Sequence, residues 1–339
     1  MEKKKNLTIQ DVANLAEVAP ITVSRVVNGT GYVRQELKDR VAKAIKELGY
    51  VPNSLASSLR SKKTQTLALI LSDITNPFFT TVARGVQDAA DLAGFMVIAC
   101  NTDEDEKKEL KVVHMLAQRR VDGLLLVPAR AAKASLELIT RQHTPTVILD
   151  RRVDNAAADV VRCDSGEGAY QLGKLLVSLG HRRIAVLAGT EGISTSDDRI
   201  VGVLRAMQEA HPAAESVVYR GELTPASGSL LTRKAMQSSF NPTALFTANN
   251  FLAIGALRAL GEMKRKVPEE VALVGFDDLP PALVSFPFLT VASQPAYEMG
   301  KLAVEMLLRR IQGEYTGEYQ EILLPTELII RRSSGAALS

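Results

Sequence analysis

From residue 67 onward, short apolar runs alternate with amphipathic stretches, and this alternation constrains the fold more than any other feature of the chain. Strands that alternate with helices form mostly parallel sheets covered by helices on both faces. Because the pattern fills most of a 339-residue chain, it predicts an α/β fold with two doubly wound lobes, the second beginning near residue 164. The apolar runs are Leu67–Leu71, Phe95–Cys100, Leu124–Val127, Val147–Leu149, Ile184–Leu187, Leu245–Phe246 and Val271–Val274. The amphipathic stretches lie near 78–93, 106–118, 131–141, 166–179, 199–210 and 250–260.

The composition excludes several classes of protein. With 46% apolar and 23% charged residues, the chain can bury a core of ordinary size. Its two cysteines, Cys100 and Cys163, are too few for a disulfide scaffold, and no apolar run approaches the roughly 18 residues of a membrane span. The lysines at 3–5 are not followed by the apolar stretch of a signal peptide. We therefore expect a cytoplasmic protein without membrane contact, and the scattered histidines give no reason to expect a metal or another cofactor.

The first 63 residues form a small basic head on a mildly acidic body. They hold eight lysines and four arginines against six acidic residues, a net charge of +6, which leaves −3 for the rest of the chain. Three short helices are indicated: Thr8 can cap the first, Pro20 suits the first turn of the second, and the third spans about 35–48. A basic helical head favours a polyanionic partner.

The second of these helices carries polar side chains outside its valine face. They are Thr22, Ser24, Arg25 and Asn28. A short exposed helix of this type fits the major groove of duplex DNA, where hydroxyls and amides bind phosphates and an arginine binds a guanine edge. The alternative is a small helical domain that binds another protein, and the local charge favours DNA. The segment 53–60 behind the head can form a helix of two turns at most, which is expected to form only when packed.

A series of motifs extends along nearly the whole chain, and together they resemble a known family. The head motifs are Thr8–Ala13, Thr22–Asn28 and Gly49–Asn53. The body motifs are Ile74–Phe79, Arg120–Gly123, Leu149–Arg151, Gly180–Ile184, Arg199 with Gly202, Pro242–Ala244 and Gly275–Asp278. In this order they resemble the lactose/galactose repressor (LacI/GalR) family of transcriptional regulators.

The resemblance implies three parts. Residues 1–50 would be a helix-turn-helix DNA-binding domain, 51–63 a hinge helix, and 64–339 an effector-binding and dimerisation domain. Within the last part, lobe one would take about 64–163 and 293–323, and lobe two about 164–292 and 324–339, as in periplasmic sugar-binding proteins. The resemblance also implies a homodimer that binds palindromic double-stranded operator DNA.

The resemblance assigns DNA contacts to the head and the hinge. In the family, the first two residues of the recognition helix and an arginine near its end read bases, and here these are Pro20, Ile21 and Arg25. Pro20 and Ile21 offer only apolar surface, which suits thymine methyl groups. Ala19 stands where a capping serine or threonine is usual. The family's hinge leucine corresponds to Leu59, which would wedge into the minor groove; the alternative is that it packs the linker. Thr8, Thr22, Ser24 and Asn28 complete the predicted DNA-binding set.

The effector is expected in the cleft between the lobes, because ligands of open α/β sheets bind beyond the carboxyl ends of the strands. A sugar needs carboxylate, amide and guanidinium groups for its hydroxyls and aromatic side chains for its apolar ring face. For Asn76 and Phe78, the alternatives of a helix start and of lobe packing stay open. The candidate residues are Asp73, Asn76, Phe78, Phe79, Asp150, Arg151, Thr195, Arg199, Asn249, Asn250, Asp277 and Gln294.

The sequence therefore predicts a ligand-responsive transcriptional regulator that acts on nucleoid DNA, a repressor of carbohydrate-metabolism genes with no catalytic residues. A sugar or sugar acid is the expected effector, with a purine as the alternative. The rival hypothesis is a cytoplasmic Rossmann-like carbohydrate enzyme, which lacks a dinucleotide-binding glycine fingerprint and leaves the basic head without a role. The charged run 103–109 is interpreted as a solvated helix start.

Overall fold

The computed structural model describes residues 7–51, 64–130, 132–211, 213–280 and 284–337. The chain forms two compact units, one ending at Thr64 and the other beginning at Gln65. Among the described residues, no helix combines the length and the apolar character that crossing a membrane requires. The predicted hinge, apart from the exposed Val51, lies outside the described residues.

The head is a bundle of three helices, α1 (Ile9–Ala16), α2 (Pro20–Asn28) and α3 (Gln35–Leu48). Its small core is built around fully buried valines, Val12, Val23 and Val41, one from each helix. The predicted cap of α1 is confirmed: the Thr8 side chain accepts a hydrogen bond from the Asp11 amide, and the Asp11 side chain accepts one from the Thr8 amide. These reciprocal bonds satisfy two amides that a helix start otherwise leaves unpaired.

The start of α2 differs from that of α1. Ala19 occupies the cap position with extended backbone, but it has no side chain that could bond the first amides. Pro20 at the first helical position is confirmed, and it lacks the amide hydrogen that would be unpaired there. The helix ends at Gly29, whose φ of 63° is a conformation that glycine adopts without strain.

Lobe one is built on a sheet whose strands are β1 (Thr66–Leu71), β2 (Met96–Asn101), β3 (Gly123–Leu126), β4 (Thr146–Leu149), β5 (Asp159–Cys163) and β11 (Glu321–Leu324). The six strands are parallel and lie in the order β11-β5-β4-β3-β1-β2. Its helices are α4 (Pro77–Leu92), α5 (Glu106–Gln118), α6 (Lys133–Gln142) and α11 (Ala296–Gln312). Two apolar clusters, one on each face of this sheet, form its core.

Lobe two repeats the plan with the strands β6 (Arg183–Ala188), β7 (Glu215–Arg220), β8 (Ala244–Thr247), β9 (Ala272–Phe276), β10 (Thr290–Ser293) and β12 (Glu327–Ile329). They lie in the order β12-β10-β9-β8-β6-β7, in which β12 runs antiparallel to β10 and the other described neighbours are parallel. Its helices are α7 (Ser165–Ser178), α8 (Ser194–Ala210), α9 (Pro225–Gln237) and α10 (Asn250–Glu262), and a 3-10 turn spans Arg332–Ser334.

The predicted fold class is confirmed for the helical head and for the two doubly wound lobes. The seven predicted apolar runs all coincide with strands, within one or two residues at each end. The chain crosses between the two sheets after β5, after β10 and after β11. A change in the arrangement of the lobes is expected to bend the chain at these crossings.

Candidate functional site

The outward surface of α2 presents the predicted base-reading side chains. Pro20 and Arg25 are exposed, and Ile21 is 54% exposed although it is a large aliphatic side chain. An isoleucine left in water at the start of a basic helix gains from contact with an apolar partner such as a thymine methyl group. The geometry of α2 therefore suits major-groove contact.

Three polar residues of the predicted DNA-binding set make side-chain hydrogen bonds within the head, Thr8, Ser24 and Asn28. The Asn28 amide donates to the Ser24 carbonyl oxygen at 2.6 Å and to the Ser24 hydroxyl at 3.2 Å. Thr8 is committed to the cap of α1, and Thr22 is half-buried on α2. These hydrogen bonds hold the side chains of Thr8, Ser24 and Asn28 in place. Leu59 lies outside the described residues.

A cavity of about 740 Å³ lies between the two lobes, at the carboxyl ends of their strands. It brings together eleven of the twelve predicted effector residues, and we call it the cleft. The exception is Asn250, which is buried beside the cleft rather than lining it. The eleven are Asp73, Asn76, Phe78, Phe79, Asp150, Arg151, Thr195, Arg199, Asn249, Asp277 and Gln294.

Asp150 and its neighbours form the lobe-one side of the cleft. The Arg151 guanidinium is bound by both carboxylate oxygens of Glu104 and donates to the Pro128 carbonyl oxygen at 2.6 Å. Its Nε lies 3.9 Å from Asp150 Oδ2, while Asp150 Oδ1 has no hydrogen-bond partner among the described residues. Burial raises the pKa of Asp150 to about 6, against the opposing charges of Arg151 and Arg199.

Arg199 and Asp277 form the lobe-two side. Arg199 donates to the Ala248 carbonyl oxygen at 2.6 Å, lies 3.7 Å from the ring centre of Phe276, and approaches Asp277 Oδ2 at 3.8 Å. The Gln294 amide donates to Asp277 Oδ1 at 2.5 Å, and its own carbonyl oxygen is unpartnered among the described residues. Burial raises the pKa of Asp277, and Arg199 and Gln294 oppose that rise.

The aromatic wall and the amides next to it connect the lobes. Phe78 and Phe79 pack edge to face at 5.1 Å between ring centres, and both belong to the core of lobe one while lining the cleft. Asn76 caps α4 by accepting from the Phe78 amide at 3.0 Å. Its oxygen also accepts from the Asn250 amide of lobe two at 3.0 Å. Asn76 and Phe78 thus have both the structural and the cleft-lining role.

Two further predicted residues are fixed by local hydrogen bonds. Asp73 Oδ1 accepts from the amide and the hydroxyl of Thr75, at 2.8 and 2.6 Å. Asn249 caps α10 by accepting from the Leu252 amide at 2.9 Å. Both residues line the cleft, where these local hydrogen bonds position their side chains.

The interpretation of 103–109 as a solvated helix start is wrong for two of its residues. Glu104 lines the cleft and binds Arg151, and Glu109 is fully buried with Oε2 accepting from the Ala129 amide at 2.6 Å. Burial raises the pKa of Glu109, although that amide opposes the rise. The sequence pattern missed both because their partners lie far along the chain. Other cleft residues outside the predicted effector set are Ser72, Thr75, Asp103, Asp105, Glu106, Arg130, Thr190, Ile193, Glu222, Leu223 and Thr224.

The charge of the cleft is strongly negative. Eight acidic side chains line it against the three arginines Arg130, Arg151 and Arg199. Both buried arginines are engaged with protein oxygens, as described above. In the part of the chain that the structure describes, no group of three or more His, Cys, Asp or Glu side chains is arranged to hold a metal ion. The arrangement can bind a hydroxyl-rich molecule.

Comparison with known families and proteins gives consistent findings. The family described as bacterial regulatory proteins, lacI family, matches residues 8–53, and a periplasmic binding protein-like domain matches residues 174–334. The transcriptional regulator DegA of Bacillus subtilis is 34% identical, over 96% of this chain and 98% of its own length. The ribose operon repressor of Halalkalibacterium halodurans is 33% identical, over 96% of this chain and 97% of its own length.

Solved structures extend the similarity to the whole architecture. A Lac repressor dimer bound to operator and the anti-inducer ONPF superposes with a TM-score of 0.85 at 28% identity, covering 97% of this chain and 99% of that one. The regulator CelR in complex with cellobiose gives a TM-score of 0.71 at 31% identity, covering 96% and 99%. These relatives and neighbours are regulators, and none of them supports the rival hypothesis of an enzyme.

Proposed function

The chain belongs to the LacI family of bacterial regulatory proteins, which are ligand-responsive transcriptional repressors, and on that premise we propose what this member binds. It binds a palindromic operator as a homodimer, and an uncharged sugar in the cleft alters its affinity for that operator. The observation that carries this proposal is the cleft itself, where strand-end carboxylates, amides and guanidinium groups of both lobes share one cavity of about 740 Å³. The site of action would be nucleoid DNA in the cytoplasm.

The unpartnered atoms of the cleft favour a ligand that donates hydrogen bonds. Asp150 Oδ1 and Gln294 Oε1 are buried acceptors without a partner among the described residues, and the unpartnered hydroxyl of Ser72 can accept as well. A buried acceptor left unpaired costs roughly 1–3 kcal/mol, which a donor from the ligand would remove. Sugar hydroxyls supply such donors, and Phe78 and Phe79 offer aromatic surface for the ring.

The charges of the cleft favour an uncharged sugar over a sugar acid. A carboxylate in this cavity would face eight acidic side chains. The two buried arginines are held by Glu104 and by the Ala248 carbonyl oxygen, so a ligand carboxylate would have to displace these bonds. We therefore rank the neutral sugar first and the sugar acid below it.

The head supplies the operator contacts in this proposal. Arg25 binds a guanine edge, Pro20 and Ile21 contact thymine methyl groups, and the hinge leucine Leu59 enters the minor groove. Leu59→Ala is then expected to lose specific operator affinity and to keep salt-sensitive nonspecific binding. Unchanged specific affinity in a fluorescence anisotropy titration would remove the wedge from the proposal.

Thermal-shift titration with a ligand panel tests the effector class. The panel pairs each neutral hexose and pentose with its sugar acid and includes purine bases. A neutral sugar should raise the Tm, because a ligand at a hundred times its Kd stabilises the fold by about 2.7 kcal/mol. Asp277→Asn should abolish this shift, whereas the matched surface change Asp91→Asn on α4 should retain it.

Two results would contradict the proposed function. Saturable binding of a sugar acid or a purine, with no shift from the corresponding neutral sugars, would contradict the proposed effector class. Turnover of a sugar by a protein that binds no duplex DNA would contradict the regulator and favour an enzyme.

A further inference from the structure

The carboxylate that follows the effector residue Asp277 is bound by an arginine outside the cleft. Asp278 is the next residue in the chain, and neither it nor Arg331 lines the cleft. Arg331 Nη1 donates to Asp278 Oδ1 at 2.7 Å, and Nη2 donates to Oδ2 at 2.6 Å. A two-point bond of this kind fixes the orientation of a carboxylate as well as its distance. The proposed contacts with a sugar leave this pair unexplained.

The backbone of Arg331 is bonded into the core of lobe two. Its amide donates to Thr290 Oγ1 at 2.9 Å. Two residues further on, Ser333 Oγ accepts from the Thr290 amide at 2.8 Å and donates to the Leu273 carbonyl oxygen at 2.6 Å. Thr290 and Ser333 are both fully buried. The side chain of Arg331 therefore extends from a backbone whose position is set by the core of the lobe.

Asp277 has a backbone conformation that needs support from its surroundings. Its φ of 68° lies in the left-handed region, which residues other than glycine keep only where neighbouring contacts hold them. Asp277 itself is held by its amide, which donates to the Ala292 carbonyl oxygen at 3.0 Å, and by Gln294, which donates to its Oδ1 at 2.5 Å. The residue after it, Asp278, is held by Arg331. Contacts on Asp277 and on its neighbour thus maintain one strained turn.

Both of these holds belong to strands at which the chain crosses between the lobes. Gln294 is the first residue after β10, where the chain leaves for lobe one. Arg331 lies two residues after β12, the strand that begins after the chain has returned to lobe two. The two strands pair antiparallel with Ser293 opposite Glu327, so the two crossing segments begin side by side. A lobe movement that shifts these segments would therefore act on the turn at Asp277 from both sides.

We propose that Arg331 is a positioning residue of the effector site. Through Asp278 it holds Asp277 in the conformation that presents its carboxylate to the cleft, and it links that conformation to the crossing segments. This inference rests on the proposed function, because it concerns binding only if a sugar occupies the cleft. The alternative is that the pair only attaches the C-terminal segment to lobe two, so that it stabilises the fold without affecting sugar binding.

Isothermal titration of the full-length protein with a neutral sugar distinguishes these roles. The probe is the neutral hexose or pentose that gives the largest thermal shift with the unchanged protein. Arg331→Met removes the guanidinium and keeps an unbranched apolar side chain, and we expect it to weaken sugar binding about tenfold, a loss of about 1.4 kcal/mol. Arg332→Met is the matched control. Arg332 is the next residue and is exposed, so this variant should bind the sugar as the unchanged protein does.

Two conservative variants grade the effect. Arg331→Lys keeps the positive charge but lacks the planar fork that matches a carboxylate at two points, so it should recover part of the affinity that Arg331→Met loses. Asp278→Asn keeps the shape of the side chain and removes its charge, and it should also give an intermediate loss. The double variant should lose no more than Arg331→Met alone, because both changes remove the same bond.

Thermal unfolding without sugar measures the stability of each variant, and the titrations are made well below the lowest Tm. A lowered Tm in Arg331→Met, with sugar affinity equal to that of Arg332→Met, would overturn the proposal and leave the pair a purely structural role. If Arg331→Met does not fold, Asp278→Asn decides in the same way. A sugar that binds the unchanged protein and all variants equally contradicts this inference alone. If no neutral sugar binds the unchanged protein, the proposed function fails and this inference falls with it.

The link to the crossing segments has its own measurement. Operator affinity is titrated by fluorescence anisotropy with a palindromic duplex selected from random sequences, without sugar and with enough sugar to saturate each variant. Loss of the positioning bond should lower the preference of the sugar for one lobe arrangement. Arg331→Met should then show less than half the fold-change in operator Kd that Arg332→Met shows, with equal operator affinity in the absence of sugar. An undiminished fold-change would overturn the link.

Discussion

Asp150 and Asp277 occupy corresponding positions in the two lobes, each directly after the third strand from the same end of its sheet. Both have left-handed backbone conformation, with φ of 66° and 68°. This region is uncommon for residues other than glycine, although aspartate and asparagine tolerate it better than most. Strained backbone that turns two buried carboxylates into one cavity is typical of a functional site rather than of packing.

The raised pKa of Asp150 predicts that effector binding weakens in mild acid. Above a pH of about 6 this carboxylate is charged and accepts hydrogen bonds, and below that pH it is protonated and loses acceptor capacity. If only the ionised form binds, the affinity should fall by up to about tenfold between pH 7 and pH 5. Isothermal titration at several pH values with a neutral-sugar effector measures this.

Asp150→Asn is the matched variant, since asparagine keeps the shape and tolerates the left-handed backbone. This variant should remove most of the pH dependence of the sugar affinity, and Asp277 should account for the part that remains.

The stability of the unliganded protein should change with pH in the opposite direction to the sugar affinity. A carboxyl whose pKa is raised by folding binds its proton more tightly in the folded state, so the unliganded fold gains stability as the pH falls through 6. An identical pH profile in the variant would exclude Asp150 as the titrating group.

At the residue scale, the sequence could predict which strand ends would carry polar side chains but not their partners. Asp150, Arg199 and Asp277 follow recognisable apolar runs, so their place beyond the sheet was predictable. Glu104 and Glu109 lie in a charged run whose helical spacing also fits a solvated surface. Their roles depend on Arg151 and on the Ala129 amide, and no local pattern contains that information.

At the scale of elements, the sequence predicts the bounds of α2 correctly, although the start of this helix has no side-chain cap. Its bounds follow from Pro20 and Gly29, and both could be predicted from the sequence.

The strands that the sequence analysis did not predict lie mainly at sheet edges, as in β7 and β11, where side chains are half-buried or exposed. A half-exposed edge strand does not need the continuous apolar run that marks a buried parallel strand.

The missing cap of α2 gives a stability prediction. Ala19→Ser places a hydroxyl where the backbone is already extended, with φ of −68° and ψ of 145°, so it can accept from an amide of the first turn. A gain of about 1 kcal/mol is expected, which slows exchange of the α2 amides about fivefold wherever local opening controls it. Hydrogen-exchange mass spectrometry of the full chain measures this.

The control for that change is Ala42→Ser, at an exposed interior position of α3. Serine there lowers helix propensity by about half a kcal/mol without capping anything, so exchange should become slightly faster. Equal effects at the two positions would show that the cap of α2 contributes nothing.

At the scale of the whole molecule, hydrogen bonds between described residues join the lobes around the cleft. Asn76 of lobe one accepts from Asn250 of lobe two, and the Arg152 amide donates to the Ser194 hydroxyl at 3.0 Å. Arg152 also pairs with Asp198 at 3.2 Å. A ligand that bridges Asp150 and Asp277 would strengthen the same lobe arrangement. Such a ligand can change operator affinity only as far as it distinguishes between lobe arrangements.

The sequence could predict this two-lobed plan because strand-helix alternation and the family motifs extend through most of the chain. It could not predict which residues join the lobes, such as Asn76 with Asn250 and Arg152 with Ser194. These residues are distant in sequence and carry no shared motif, so they become partners only in the folded molecule.

Operator affinity with and without effector is the most direct test of the account. The full-length protein would be titrated by fluorescence anisotropy onto a palindromic duplex selected from random sequences, at fixed salt, in the absence and presence of a saturating neutral sugar. A coupling of about 1–3 kcal/mol predicts a change in Kd of about 5- to 150-fold, and operator should change the sugar affinity by the same factor. Equal operator affinity in the absence and presence of the sugar would contradict the proposed regulation.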